Sequence, residues 1–277
     1  MNISLTGRLG SGKSTVCGIM KEKYGYEIYS TGKIQREIAD GMGIDTLELN
    51  RRMTEDSSLD HIIDDAVRDI SVKRINDRLI FDSRMAWHFA VSTFKVYSYV
   101  EPYTAAKRVA ADELRGREQY SSLEDAKDKL EERATLECER FKKIYGVDYS
   151  DYNNYDLIID TTFITAEEAA EIIKAEVEKF ENGEYNGTKI LVSPKAVYPA
   201  LISGSKPEIK LCGGYNYILG GYKKFVNAVL KGEKLIECYV SDKKVPKHAD
   251  LKKAEKYQLE GGFEYECLPA IYKEKTL

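Results

Sequence analysis

The chain has 277 residues, 43% of them hydrophobic, 32% charged and 10% aromatic, with a formal net charge of −4. This length suits one large domain or two modest ones, and the apolar content supports a sizeable core, which excludes a disulfide-stapled miniprotein and a disordered chain. The slightly acidic balance gives no global attraction to a phosphate backbone, and no run approaches the roughly 18 apolar residues of a membrane span. Five scattered cysteines (Cys17, Cys138, Cys212, Cys238, Cys267), with no CxxC pair and three histidines, predict neither a disulfide framework nor a zinc site. The N-terminus reads as a strand entering a glycine loop, unlike a signal peptide, so a reducing cytoplasm is expected.

In chain order, Asn2 to Thr6 alternates as a short strand, and Ser14 to Lys23 carries Val16, Ile19 and Met20 at helical spacing. Further strands are predicted at Glu27–Tyr29, Leu79–Asp82, Lys95–Val100 and Asp156–Asp160. Helical stretches are predicted at Ile34–Asp40, Leu59–Ile75, Thr104–Arg115 and Leu123–Tyr145. Strands alternating with helices predict an α/β fold with a parallel sheet. An acidic, Ala-rich helical pattern then ends at the turn formers Asn182 to Thr188. Charge changes there too: residues 1–184 carry a net −10 and residues 185–277 a net +6, and all 13 arginines lie between Arg8 and Arg140. Two domains are therefore expected, 1–182 and a small basic α+β unit, 188–277. Short β-rich segments are predicted in the latter at Lys189–Ser193, Tyr215–Leu219 and Leu235–Val240.

Gly7-Arg8-Leu9-Gly10-Ser11-Gly12-Lys13-Ser14 matches GxxxxGK[ST], with an apolar strand before it and a helix after it. Gly7, Gly10, Ser11, Gly12 and Thr15 are expected to bring backbone N–H groups around phosphates. Lys13 would neutralise β and γ phosphate charge, Ser14 would bind Mg²⁺, and the helix dipole would add to both. Asp82, at the end of an apolar strand, faces the ligand crevice of such a sheet, where it would order a Mg²⁺-bound water or cap the next helix. The loop suits phosphoryl transfer from ATP without deciding the acceptor.

Later segments carry a family resemblance. Tyr29 to Arg36, Leu59 to Asp64, Phe81 to Trp87, Arg133 with Arg140, Tyr145 to Asp148 and Tyr155 to Thr161 occur in the order found in archaeal-type cytidylate kinases, which residues 1–178 resemble. The resemblance implies a P-loop kinase fold with a helical lid that moves the γ-phosphoryl group of Mg·ATP to a nucleoside monophosphate, CMP or dCMP. It implies that Arg36 and Arg84 clamp the acceptor phosphate, and that Arg108, Arg133 and Arg140 close over the transferring group. Asp60 and Asp64, four apart on one helix face, are acceptor contacts or part of a solvated acidic face. On residue spacing alone, Arg133 and Arg140 fit equally well as partners of neighbouring carboxylates. Departures from the family pattern are Ser83 for Gly, Lys33 for an acidic residue, Gln35 for an aromatic, and a divergent Ala111–Tyr120. They leave two other readings: a regulatory module with a degenerate acceptor site, or a kinase of another small acceptor.

In the basic unit, Tyr217 to Gly232 resembles the strand–turn–helix core of ParB-type partition proteins and sulfiredoxins. Lys223 and Lys224 replace the usual His-Arg, and no cysteine occupies the turn, which argues against sulfiredoxin chemistry. Nucleotide binding, nucleic-acid contact and a structural role stay open for residues 188–277, whereas nucleic acid is not expected on residues 1–182.

Overall fold

The computed structural model describes residues 1–112, 120–200 and 204–246. The chain starts with β1 (Asn2–Gly7), α1 (Lys13–Tyr24), β2 (Glu27–Ser30), α2 (Thr31–Met42), α3 (Thr46–Glu55) and α4 (Ser58–Lys73). Next come β3 (Leu79–Asp82), α5 (Ala86–Phe89), β4 (Thr93–Tyr99), α6 (Pro102–Ala110), α7 (Leu123–Tyr145), β5 (Leu157–Asp160) and α8 (Ala166–Glu181). The chain continues through β6 (Lys189–Val192), β7 (Val197–Pro199), β8 (Glu208–Cys212), β9 (Tyr215–Gly220), α9 (Tyr222–Leu230) and β10 (Ile236–Val240). None of the described helices is long and apolar enough to cross a membrane.

The strands form a sheet in the order β2-β3-β1-β4-β5-β6-β10-β8-β9-β7. From β2 to β6 every neighbouring pair is parallel, as the alternation of strands and helices predicts. Beyond β6 the sheet is mixed. Strand β10 runs antiparallel to β6 and parallel to β8, β9 is antiparallel to β8, and β7 is parallel to β9.

Alternation along the strands sorts the core into two layers. Ile3, Leu5, Ile80, Phe94, Val96, Leu157 and Ile159 face α1 and α8, where they bury Val16, Met20, Ile173 and Val177. Leu79, Phe81, Tyr97, Tyr99 and Ile158 face the opposite side. That second layer runs without a break into Ile190, Val192, Tyr198, Ile209, Tyr217 and Phe225, residues on the far side of the change in charge at 184. Buried polar contacts cross the same point. Tyr198 donates to Glu101, Tyr152 donates to Asn216 Oδ1 at 3.2 Å, and the Ser193 N–H reaches Asp160 Oδ2 at 3.0 Å.

Besides the one-turn helix α5, three elements lie where no element was expected. Helix α3 is capped by Asp45, which accepts from the Glu48 N–H. Its buried face mixes Leu49 and Met53 with Thr46 and Asn50, so the apolar period that announces a helix is missing. Strand β7 is three residues long and ends in proline, and β8 is a five-residue, partly exposed strand whose alternation covers only Glu208 to Leu211. The expected helix Thr104–Arg115 ends at Ala110, and Arg115 and Arg117 lie outside the described residues.

Removing the segment after residue 187 would strip β6 from β5 and take away the partners of buried Glu101, Tyr152 and Asp160. A chain ending at residue 187 is therefore expected to be insoluble or to melt well below the full chain in scanning fluorimetry. Equal melting temperatures would show that the second layer closes without β6 to β10.

Candidate active site

The loop between β1 and α1 lies where the sheet's carboxyl ends open into a cleft of ≈ 620 Å³. Gly7 and Gly10 leave no room for a side chain. A Cβ on Gly7 would sit 2.1 Å from the Ser98 carbonyl oxygen, and one on Gly10 would lie 2.7 Å from the Ala105 Cα, both at positive φ. Gly12 begins α1 in the left-handed region, and no side chain caps the helix. In this arrangement first-turn N–H groups serve a bound anion. Lys13 Nζ donates to the carbonyls of Gly7 (3.0 Å) and Arg8 (2.8 Å), folding the ammonium back over the loop. Ser14 and Thr15, exposed on the first turn of α1, line the cleft with Gly10, Ser11 and Gly12. Gly7 itself lies behind the wall and takes part through its carbonyl.

Opposite the loop, α2, α4 and α7 and the end of β3 bring Arg36, Asp60, Asp82, Arg84, Arg133 and Arg140 to the same cleft. Arg84 Nε pairs with Glu137 Oε2 at 2.7 Å, and its Nη1 donates to the Gly7 carbonyl at 2.7 Å, tying the strand end to the phosphate loop. Arg133 Nε holds the other oxygen of Glu137 at 3.0 Å, and its Nη1 donates to Thr46 Oγ1 at 2.9 Å. Arg140, almost fully buried, lies 3.1 Å from Asp60 Oδ2 and donates to Asn50 Oδ1 at 2.9 Å. The α7 arginines pair with carboxylates, as their spacing allows, and they also line the cleft. Arg108, on α6, donates to the Thr161 carbonyl at 2.7 Å. Asp82 Oδ2 accepts from Ser30 Oγ at 3.0 Å. Ser83, at the position where glycine was expected, accepts the Met85 N–H on its hydroxyl at 3.3 Å, so the local turn absorbs the substitution.

Glu137 was not singled out from the sequence. Its signal is the spacing Arg133-x₃-Glu137-x₂-Arg140, which places all three on one helix face. Burial works against its charge, but Arg84, Arg133 and Arg140 hold its carboxyl down at about 2. Asp64, which shares a helix face with Asp60, also lines the cleft and accepts from Tyr145 Oη at 2.7 Å; both carboxylates are buried, so the face they share is not a solvated one. Burial lifts both Asp60, against the pull of Arg140, and Asp64, against the Tyr145 hydrogen bond, to about 6.

Among the described residues, no group of three or more His, Cys, Asp or Glu is placed to hold a metal unaided. The hard oxygens of Ser14 and Asp82 suit a Mg²⁺ ion carried mainly by nucleotide phosphates.

A family model described as the cytidylate kinase-like family matches residues 2–163, from β1 to just past β5. The chain belongs to this family. It is 31% identical over 195 residues to a cytidylate kinase of Thermoplasma volcanium, covering 69% of this chain and 98% of that one. A cytidylate kinase of Natronomonas pharaonis is 32% identical over 189 residues, covering 68% of this chain and 94% of its own. One from Haloarcula marismortui is 35% identical over 161 residues, 58% of this chain and 81% of that one.

The charge arrangement predicts two opposite pH effects. Glu137, held low, stabilises the fold above its unfolded value near 4.3 and loses that contribution as pH falls toward 2. Glu137→Gln is expected to cost about 3–5 kcal/mol in urea unfolding at pH 7, a gap that narrows below about pH 4. Asp64, held high, stabilises below about pH 4 and loses that contribution as pH rises through about 6. Asp64→Asn is expected to flatten this decline by on the order of 2 kcal/mol in melts between pH 4 and 6.

Proposed function

We propose that this protein transfers the γ-phosphoryl group of Mg·ATP to a nucleoside monophosphate, with CMP or dCMP as the preferred acceptor. The observation that carries the reading is the single cleft that joins the phosphate loop of residues 7–14 to Arg36, Arg84, Arg133 and Arg140. The names of the relatives support the acceptor class.

An attacking phosphate oxygen is already ionised, so no strong general base is required. In the transfer, the bond between the γ-phosphorus and the bridging oxygen of ADP breaks as one forms to the acceptor oxygen. Catalysis then rests on alignment and on neutralising charge over the equatorial oxygens. Lys13 swings from the Gly7 and Arg8 carbonyls to the β and γ phosphates. Arg36 and Arg84 hold the acceptor phosphate through paired guanidinium N–H donors. Arg133 and Arg140 are aimed by Glu137 and Asp60, so their charges are in place before the substrate arrives. Arg108 bridges the Gly10 and Thr161 carbonyls on the donor side, at 3.4 and 2.7 Å. Ser14 and Asp82 would hold Mg²⁺ with the nucleotide, and the ion would supply charge neutralisation on the donor phosphates.

Acceptor-dependent ADP formation tests this with CMP, dCMP, UMP, AMP and GMP beside an acceptor-free control. Preference for CMP or dCMP is expected. ATP binding with no turnover on any monophosphate would move the chain to a regulatory role or to a different acceptor. Lys13→Ala is expected to lower kcat by at least about a hundredfold. Arg36→Ala is expected to raise the acceptor KM while leaving the ATP KM within about twofold. An unchanged acceptor KM would remove Arg36 from the phosphate clamp.

A further inference from the structure

The family match ends at residue 163, yet a turn fifty residues further on reaches the back of the phosphate loop. The turn joins β8 to β9 through Gly213 and Gly214, both at positive φ. The Gly214 carbonyl accepts from Arg8 Nη1 at 3.0 Å and from Tyr99 Oη at 2.9 Å. A Cβ on Gly214 would lie 2.6 Å from Arg8 Nη1, 3.2 Å from Nη2 and 3.2 Å from Pro102 Cγ, so only glycine lets the turn close on the guanidinium.

Arg8 is the second residue of the phosphate loop, and its backbone does as much as its side chain. Its carbonyl accepts from Lys13 Nζ at 2.8 Å and from the Ser11 N–H at 3.3 Å, while its own N–H donates to the Ser98 carbonyl at 3.0 Å. The residue pinned by the C-terminal turn therefore sets the path of the loop backbone through its bonds to Ser98 and Ser11, and supplies one of the carbonyls that Lys13 leaves when ATP binds. A parallel route reaches the other side of the loop. The Ser193 N–H and the Thr162 N–H share the carboxylate of Asp160, and the adjoining Thr161 Oγ1 lies 2.9 Å from the Ser11 carbonyl.

We propose that the β8–β9 turn is a brace for the donor site, with Arg8 and Gly214 as positioning residues that hold the phosphate loop in its ATP-binding form. The proposal rests on the reading of residues 7–14 as the ATP site. It gives residues 188–246 a role in the reaction itself, through one charge-assisted hydrogen bond in a site shielded from water.

The test measures Mg²⁺-dependent binding of a non-hydrolysable ATP analogue to the full chain by calorimetry, without acceptor. The variants are Arg8→Met, Gly214→Ala, the double variant and Tyr99→Phe. Arg8→Met and Gly214→Ala are each expected to weaken binding by about tenfold, the worth of one hydrogen bond to a charged group. The double variant should lose no more than the weaker single, because both remove the same contact. Tyr99→Phe, which takes the other donor from the same carbonyl and leaves Arg8 in place, should lower the melting temperature and bind within about twofold of wild type. In turnover, the acceptor KM should hold while the ATP KM rises. Unchanged binding in Arg8→Met, a multiplied loss in the double variant, or an equal loss in Tyr99→Phe would each overturn the brace. Arg8→Met keeps the backbone of the turn and carries the test if Gly214→Ala does not fold. Wild-type protein that binds no analogue would overturn the ATP-site reading instead, a result separable from all of these.

Discussion

Three guanidinium groups cannot share a shielded cleft without an anion among them, and in this protein Glu137 is that anion. Like charges at such range repel by several kcal/mol at intermediate dielectric, and each buried charge also loses its hydration. Glu137 meets both costs by taking Arg84 on one oxygen and Arg133 on the other, with Arg140 adding to the field. Much of the surrounding architecture follows from this. Helix α7 has to lie with its Arg-Glu-Arg face toward the end of β3. Helix α3 has to offer Thr46 and Asn50 where an ordinary packing helix would offer leucine, because guanidinium N–H groups need acceptors. Asp60 on α4 completes the set by facing Arg140.

The same arrangement sets the chemistry of the cleft. Guanidiniums held by carboxylates and carbonyls are oriented before substrate enters, so little reorganisation is left for the transfer step.

What could be read from the sequence follows the range of the interactions. The phosphate loop, the strand that feeds it and the helix that leaves it are one contiguous stretch, and a strict local geometry dictates their residue types. Leu79–Asp82 and Leu123–Tyr145 were recognisable at their observed boundaries because their patterns are strong. The spacing of Arg133 and Arg140 fits two roles, and the three-dimensional placement shows their carboxylate partners and their place in the cleft wall. Glu137 was passed over because one glutamate in a helix dense with charge carries no signal until Arg84, 53 residues earlier, is set against it. Helix α3 was missed for a related reason: its buried face is partly polar in order to serve the arginines. The bond between Arg8 and Gly214 spans 206 residues and leaves no periodic trace.

The placement of β10 bears on how the chain acquires its structure. Strand β2 waits for β3 to join it to β1, and from β3 to β6 each parallel strand pairs with a neighbour already made. The later strands cannot. β7, β8 and β9 emerge first, but β10 is the strand that links them to β6 and is the last strand described in the chain. Until it inserts, the outer three strands have no strand pairing with the rest of the sheet, and the edge of β6 stands open. Closing the sheet is then a late, long-range event, the slow class of step in β-rich topologies. A ribosome-bound chain would complete its parallel strands a few seconds before its phosphate loop receives the contact from Gly214, at about 5–20 residues per second.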